Sequence, residues 1–229
     1  MKVAILQSNY IPWKGYFDII NSVDYFVIYD DVQYTKNDWR NRNIIKTPQG
    51  DNWLSIPVYQ KSLSQKINET QISLKGWNKK HLKTIEFAYS KAPYFKEYRP
   101  FIEDLYTNIP SDNLSEINIY FLEKICQVLG IKTTFVKSSD LQSISGQTER
   151  LVDICKNLNA THYLSGPAAK NYLQENLFQE ASIDVEWINY SNYPEYSQLF
   201  GEFNHYVSII DLILNNGHKS PLLLKSFSI

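Results

Sequence analysis

Cysteine is scarce in this sequence: Cys126 and Cys155 are the only two among 229 residues. Each lies in an amphipathic helical pattern, which favours reduced thiols over a disulfide framework. Cys155 falls on an apolar stripe, so we expect it to be a core residue and not a nucleophile. A thioester intermediate on either cysteine is therefore not expected.

Long apolar runs are also missing. The N-terminal residues Met-Lys-Val-Ala-Ile-Leu-Gln do not contain the apolar stretch of a signal peptide. No segment approaches the ~20 apolar residues of a membrane span. These absences predict a cytoplasmic protein with no membrane span.

Excess charge of one sign and the common metal and nucleotide motifs are absent too. A formal net charge of −1 argues against a general polyanion-binding surface, so we expect no nucleic-acid partner. No C-x-x-C or H-E-x-x-H spacing indicates a metal site, and there is no G-x-S-x-G elbow. The G-x-G-x-x-G and P-loop patterns are missing, which excludes their fingerprints for dinucleotides and phosphates.

The order of apolar patterns predicts the fold. Apolar runs at 3–6, 25–29, 132–136, 162–164 and 185–188 read as strands. Helical patterns lie between them, at 76–88, 114–129, 148–158 and 206–214 among others, with Thr148 and Gly130 as expected caps. Strands that alternate with helices indicate an α/β fold with a mainly parallel, Rossmann-like sheet flanked by helices. No linker or repeat divides the chain, so we predict one domain, 1–229, with a β-hairpin and helical insertion at 43–115.

Aromatic side chains are abundant, with 17 Tyr and 5 Trp, and several stand beside charges at the end of the second strand. Residues 24–42 begin as a buried strand and then turn polar. Because ligands bind beyond the carboxyl ends of strands in such sheets, this segment is expected to rim a binding site. Its candidate ligand contacts are Tyr34, Lys36, Trp39, Asn41 and Arg42.

Asp30 and Asp31 follow the second strand directly. Paired carboxylates at a strand end can hold Mg²⁺, orient an ammonium group or act as a base. The alternative is structural: one aspartate caps a turn and the other pairs with Arg40 or Arg42. His81, beside two lysines, is a further candidate base, because a neutral imidazole can take a proton near pH 7; a merely solvated histidine is the alternative.

Two strand-to-helix turns are candidate anion sites. The first contains Gln7, Tyr10, Trp13 and Tyr16, where a phosphate can meet the N-terminus of a helix; aromatic packing is the alternative. The second is Ser165-Gly166-Pro-Ala-Ala-Lys170, whose small residues admit an anion close to the backbone, although it also fits an ordinary turn. Lys170 would neutralise a phosphate there.

Several of these segments together resemble the WbqC-like family of bacterial polysaccharide-locus proteins. The matching blocks are Q-S-N-Y-I-P-W-K-G-Y-F-D-I-I (7–20), D-Y-F-V-I-Y-D-D-V-Q-Y (24–34), W-R-N-R-N (39–43), W-L-S-I-P-V (53–58), K-A-P-Y-F (91–95), Y-L-S-G-P-A-A-K-N-Y-L (163–173) and S-I-I-D-L-I-L-N-N-G (208–217). Ser8 stands where the family commonly has proline.

The resemblance implies an N-acyltransferase, often described as a glycine transferase, that modifies the amine of a nucleotide-linked amino sugar in O-antigen or surface polysaccharide biosynthesis. The acyl donor would be an acyl carrier protein thioester or an acyl adenylate. One alternative is an ATP-dependent ligase that needs Mg²⁺ at Asp30 and Asp31. Another is a non-catalytic subunit that binds a sugar nucleotide or docks a carrier protein. No cofactor is firmly implied, and an oligomer is compatible with the sequence.

Overall fold

The computed structural model describes residues 1–144 and 146–227. Five parallel strands form its central sheet, and the hairpin forms a separate two-stranded antiparallel sheet. The sheet strands are β1 (Lys2–Leu6), β2 (Tyr25–Ile28), β5 (Thr134–Lys137), β6 (His162–Ser165) and β7 (Asp184–Trp187). The hairpin strands are β3 (Arg42–Thr47) and β4 (Gly50–Ser55). The α/β class and the hairpin are confirmed.

The spatial order of the sheet is β5-β2-β1-β6-β7. The chain therefore builds outward from β1 on one side and from β6 on the other, which is the Rossmann arrangement. Central strand β1 pairs with β2 from Val3–Tyr25 to Leu6–Ile28 and with β6 at Val3–Tyr163. Because connections leave β1 and β6 in opposite directions, a crevice opens at their carboxyl ends.

Helices cover both faces of the sheet, because side chains along each strand alternate between two cores. Ala4 and Phe26 join one core, while Val3 and Val27 join the other. The larger core packs α1 (Lys14–Asn21), α2 (Trp77–Tyr89), α3 (Phe95–Thr107), α4 (Leu114–Leu129) and α7 (Ile209–Asn216). The smaller core packs α5 (Thr148–Asn157) and α6 (Glu175–Glu180).

Local signals set several helix ends. Asn113 caps α4 by accepting from the Glu116 amide at 3.2 Å, and Gly130 ends that helix with φ +76°, as the sequence predicts. The expected Thr148 cap is wrong: Thr148 is the buried first residue of α5, and its Oγ1 accepts from the Gln174 amide instead. Residues Pro167–Asn171 form a 3₁₀ turn.

Both cysteines are free and buried, as expected for core thiols. Burial raises the pKa of the Cys155 thiol to about 12, which leaves it protonated at neutral pH. Within the residues described, no helix combines the length and apolarity that crossing a membrane requires.

Candidate functional site

A cavity of about 380 Å³ lies at the carboxyl ends of β1 and β6, at the crevice that the strand order creates. This main cavity has the size of a small-ligand pocket. Its lining combines polar, aromatic and small side chains. The lining residues are Ile5, Leu6, Gln7, Asn9, Tyr29, Arg40, Gln147, Leu151, Tyr163, Ser165, Gly166, Ala168, Ala169 and Tyr172.

Arg40 supplies the positive charge among the residues that line the main cavity. Its guanidinium donates to the Gln7 carboxamide oxygen and lies 3.3 Å from Asp38. Its Nε is buried and has no hydrogen-bond partner in the described part of the chain, and neither does Asn9 Oδ1. Because buried polar atoms are normally satisfied, these two atoms on one cavity wall favour a polar ligand.

Asp30 lies beneath this wall rather than in it. The carboxylate is 3% exposed and accepts from the Ser8 amide at 2.8 Å, the Ser8 hydroxyl at 2.6 Å and the Ser115 hydroxyl. Burial raises its pKa, and these hydrogen bonds oppose the rise. Asn118 extends the network by donating to Ser8 Oγ and to the Arg40 carbonyl. Asp30 thus ties the first loop and the Arg40 backbone to helix α4.

Asp31 points elsewhere, although it is the next residue. It forms an ion pair with Arg150 of α5 and accepts from Ser138. Arg150 in turn packs over the ring of Tyr29, at 5.0 Å, and Tyr29 lines the main cavity. Asp31 therefore adjoins the cavity through Arg150 and Tyr29, and its partner is neither Arg40 nor Arg42.

The two carboxylates do not form a set that suits Mg²⁺. Asp30 accepts from three donors at Ser8 and Ser115, whereas Asp31 is paired with Arg150, so the two carboxylates have separate partners and do not converge on one ion. Among residues 1–144 and 146–227, no three His, Cys, Asp or Glu side chains are grouped to hold a metal ion.

His81 belongs to a buried network in the insertion. Its Nδ1 lies 2.9 Å from the Tyr10 hydroxyl, which also contacts the Tyr106 hydroxyl. Burial lowers the pKa of His81 to about 4, opposed by a hydrogen bond to the Ser55 backbone. The imidazole is therefore neutral at pH 7. Neither Tyr10 nor His81 lines the main cavity.

A second, aromatic cavity of about 260 Å³ adjoins the first. We call it the aromatic slot; it is lined by Asn9, Pro12, Trp13, Trp39, Asn43 and Tyr206. Asn9 lines both spaces. The Trp13 ring lies 5.6 Å from Tyr206 and 5.2 Å from Tyr190, whose hydroxyl approaches Gly166 in the wall of the main cavity.

The loop between β1 and α1 carries backbone strain. Ile11 has a φ of +36°, which is rare for a β-branched residue, and it is fully buried. Neighbours hold it in place: the Trp39 carbonyl accepts from the Tyr10 amide at 3.0 Å, and Asn43 donates to the Tyr10 carbonyl. Strain of this kind clusters at functional sites, which agrees with the position of this loop beside both cavities.

The first turn of α1 is not open to the main cavity. Lys14, Gly15 and Tyr16 are buried, and the Trp13 ring folds back on Gly15, where a Cβ atom would lie 2.3 Å from it. The Tyr16 hydroxyl donates to the Gln7 carbonyl. The loop residues Gln7 and Asn9 line the cavity in place of the helix N-terminus.

The other candidates fall into two groups. Ser165 and Gly166 line the main cavity and Trp39 the aromatic slot. Tyr34, Asn41, Arg42, Lys36 and Lys170 line neither: Tyr34 and Asn41 are buried, Arg42 packs 4.2 Å over Trp53, Lys36 is exposed, and Lys170 lies 5.3 Å over Trp187.

Sequence reasoning missed Asn9, Tyr29, Gln147, Tyr163 and Tyr172 in the main cavity. Tyr29 was detectable, because it ends the apolar run of β2 at the edge where ligands bind. Gln147, Tyr163 and Tyr172 come from the second half of the sheet, and only the pairing of β1 with β6 brings them to Gln7.

The fold and these cavities define a Rossmann-type α/β protein with a candidate ligand site at the switch point of its parallel sheet. A model of the WbqC-like protein family matches residues 7–222, so the chain belongs to that family. It is also 48% identical over 225 residues to "Uncharacterized protein Rv1507c" of Mycobacterium tuberculosis, covering 98% of this chain and 97% of the relative. No solved structure matches the chain.

Proposed function

We propose that the protein is an N-acyltransferase that acylates the amine of a nucleotide-linked amino sugar, with glycyl as the first acyl group to test. The observation that carries this proposal is the main cavity, where Arg40 supplies a positive charge at the carboxyl ends of β1 and β6. Arginine suits a diphosphate because its planar donors match phosphate oxygens. Membership of the WbqC-like family supports the proposal through the polysaccharide setting that the resemblance implies, and we place the reaction in the cytoplasm as part of the same proposal.

The proposed reaction joins the sugar nitrogen to the acyl carbonyl carbon. The amine lone pair attacks, the carbon–sulfur bond of a carrier thioester or the carbon–oxygen bond of an acyl adenylate breaks, and the thiolate or AMP leaves. The nitrogen must lose a proton, because an ammonium group has no lone pair with which to attack. A positioned base and a bound, oriented amine are the two requirements on the protein.

Asp31 is the residue that we assign to the sugar ammonium: it would orient this group and, as the general base, accept the proton that the nitrogen loses. It retains 15% side-chain exposure, and it joins the cavity wall through Arg150 and Tyr29. Asp30 and His81 are assigned positioning roles, because the first is saturated by Ser8 and Ser115 and the second is buried against Tyr10. In this assignment both shape the loop that carries Gln7 and Asn9.

The second candidate is a non-catalytic subunit that binds a sugar nucleotide. It is favoured by one observation: none of the described residues that line the main cavity is a His, Asp or Glu. A pocket with an arginine, amides and tyrosines is equipped for binding, and acid–base chemistry would rely on Asp31 beyond the wall.

An assay with two kinds of donor distinguishes these functions. The protein is incubated with UDP- and dTDP-linked amino sugars and either a preformed donor (a glycyl carrier-protein thioester or glycyl adenylate) or free glycine with ATP and Mg²⁺, and products are identified by mass spectrometry. We expect amide product from the transferase reaction with the thioester or with a preformed acyl adenylate. Release of AMP and pyrophosphate from the free acid would establish the ligase instead. Binding without amide from any donor would establish the second candidate.

Variants test the role of Asp31 in the same assay. We expect Asp31→Asn to lower turnover at least about tenfold, since a positioned base typically contributes 10²–10⁴-fold. Asp140→Asn, at an exposed position, is the matched control and should not change the rate. Turnover of Asp31→Asn at the wild-type rate would remove Asp31 from the mechanism.

A further inference from the structure

We infer that the aromatic slot binds the base of the nucleotide, while Arg40, in the lining of the main cavity where the two cavities adjoin, binds the diphosphate. This inference rests on the proposed function for the class of ligand, a nucleoside diphosphate joined to a sugar. It adds an orientation: base in the slot, phosphates at the Asn9–Arg40 junction, and sugar in the far part of the main cavity.

The adjacency of the two cavities is the first observation. Asn9 lines both, and Trp39 in the slot immediately precedes Arg40 in the main cavity. On the opposite side, Tyr190 contacts Trp13 and approaches Gly166. The two cavities are therefore neighbours on both sides, as a site for a single elongated ligand requires.

The two cavities differ in chemistry as the two parts of a nucleotide do: the slot suits a flat base, and the junction with the main cavity suits charged phosphates. The slot presents the rings of Trp13, Trp39 and Tyr206, and a base can stack on flat aromatic faces. Asn43 is the second amide side chain in the slot lining, besides Asn9, and its polar atoms already form hydrogen bonds with the backbone of Tyr10 and Ile44. The slot thus offers mainly aromatic surface, while charge and unpartnered polar atoms begin at Asn9 and Arg40.

This orientation places the sugar near Asp31, the proposed general base. With the nucleobase in the slot and the phosphates at Arg40, the remaining lining of the main cavity includes Tyr29, Tyr163 and Tyr172. Tyr29 packs against Arg150, the partner of Asp31. Neither described lining contains a carboxylate, but the main cavity includes Tyr29, which leads to Asp31 through Arg150; a reversed ligand would put its sugar amine in the slot, whose lining does not include Tyr29.

Titration calorimetry with three probes tests the inference: UDP, GDP and inorganic pyrophosphate. We expect both nucleotides to bind at least about tenfold more tightly than pyrophosphate, because stacking of one base is worth about 1–3 kcal/mol. Trp39→Ala and Tyr206→Ala should each weaken nucleotide binding about fivefold or more and leave pyrophosphate binding unchanged. Arg40→Gln should weaken all three probes.

The two slot variants, Trp39→Ala and Tyr206→Ala, are expected to fold. Trp39 is 39% exposed and Tyr206 is 65% exposed, so their truncation removes little buried surface. Trp39→Phe should restore most of the affinity, which a merely structural role of the indole would not explain. Phe87→Ala, at an exposed aromatic residue of α2 away from both cavities, is the control and should bind as wild type.

Two results would overturn the inference: nucleotides that bind no more tightly than pyrophosphate, or full nucleotide affinity in both Trp39→Ala and Tyr206→Ala. The result of this binding test is independent of the result of the amide-formation assay. Nucleotide binding that depends on the slot, in a protein that forms no amide, would support the inference and refute the transferase.

Discussion

At the scale of single residues, neighbours in the sequence have separate roles. Asp30 and Asp31 follow the same strand, but both lie beyond its last residue, Ile28, and their side chains leave the chain towards different neighbours. Asp30 meets Ser8 and Ser115 in the interior, and Asp31 meets Arg150. The sequence identifies such a pair as polar and well placed, but not which side each carboxylate takes.

Asp30→Asn is expected to lower the free energy of unfolding by roughly 2 kcal/mol or more, because a buried carboxylate with three donors is replaced by an amide that carries donors of its own. Urea unfolding measures the change. Asp140→Asn, an exposed aspartate, should remain within about 0.5 kcal/mol of wild type. Equal stability of the Asp30 variant and wild type would contradict the assigned network.

His81 gives a prediction about pH. Its pKa is about 4 in the folded protein, below its ordinary value of 6.5, because burial disfavours the imidazolium. Its contribution to stability is therefore complete above pH 6.5 and is lost as the pH falls towards 4. Between pH 7.5 and 5.0 the loss should be about 2 kcal/mol, following the linkage of proton binding to unfolding.

The comparison of wild type with His81→Gln isolates this effect from other titrating groups. The difference in unfolding free energy between the two proteins should shrink by about 2 kcal/mol from pH 7.5 to 5.0. His162→Gln, at a more exposed histidine, serves as the control. A difference that is constant with pH would show that His81 is not held neutral.

At the scale of elements, helix α1 and residues 189–206 build the aromatic slot together. Lys14 donates to the Pro194 carbonyl at 2.7 Å, and Tyr193 donates to Asp18. These contacts hold Tyr190 and Tyr206 against Trp13. The sequence does not predict this arrangement, because the segment is irregular and its aromatic residues find their partners almost 180 positions earlier.

Gly15→Ala is expected to displace the Trp13 ring, because the added Cβ atom would lie 2.3 Å from it. The inferred base site should then lose UDP affinity by about fivefold or more, comparable with the loss of one stacking contact. In a Trp13→Ala background, the same substitution should have little further effect, since contacting residues are coupled. Additive losses in the double variant would contradict this explanation.

Helix α2 shows a signal that was available in the sequence. Trp77, His81, Ile85 and Ala88 recur at helical spacing, and all are buried. That stripe places His81 in the interior, whereas the adjacent lysines suggest a solvated surface. Periodicity over the whole helix is more informative here than the charge of the two preceding residues.

At the scale of the whole molecule, the fold was predictable because its signals are local. Apolar runs, helical stripes and the glycine after α4 lie within each element, so the parallel α/β class follows from reading along the chain. The site was only partly predictable. Gln7, Arg40 and Ser165 meet only after β1 and β6 pair, and no local pattern encodes that strand order.

The most direct test of the account is a crystal structure with UDP bound, determined at saturating concentration. We expect the diphosphate within hydrogen-bond distance of Arg40, at the carboxyl ends of β1 and β6, with the uracil against Trp39. UDP bound elsewhere on the protein, or no bound UDP, would contradict the claim that the switch-point cavity is a nucleotide-sugar site.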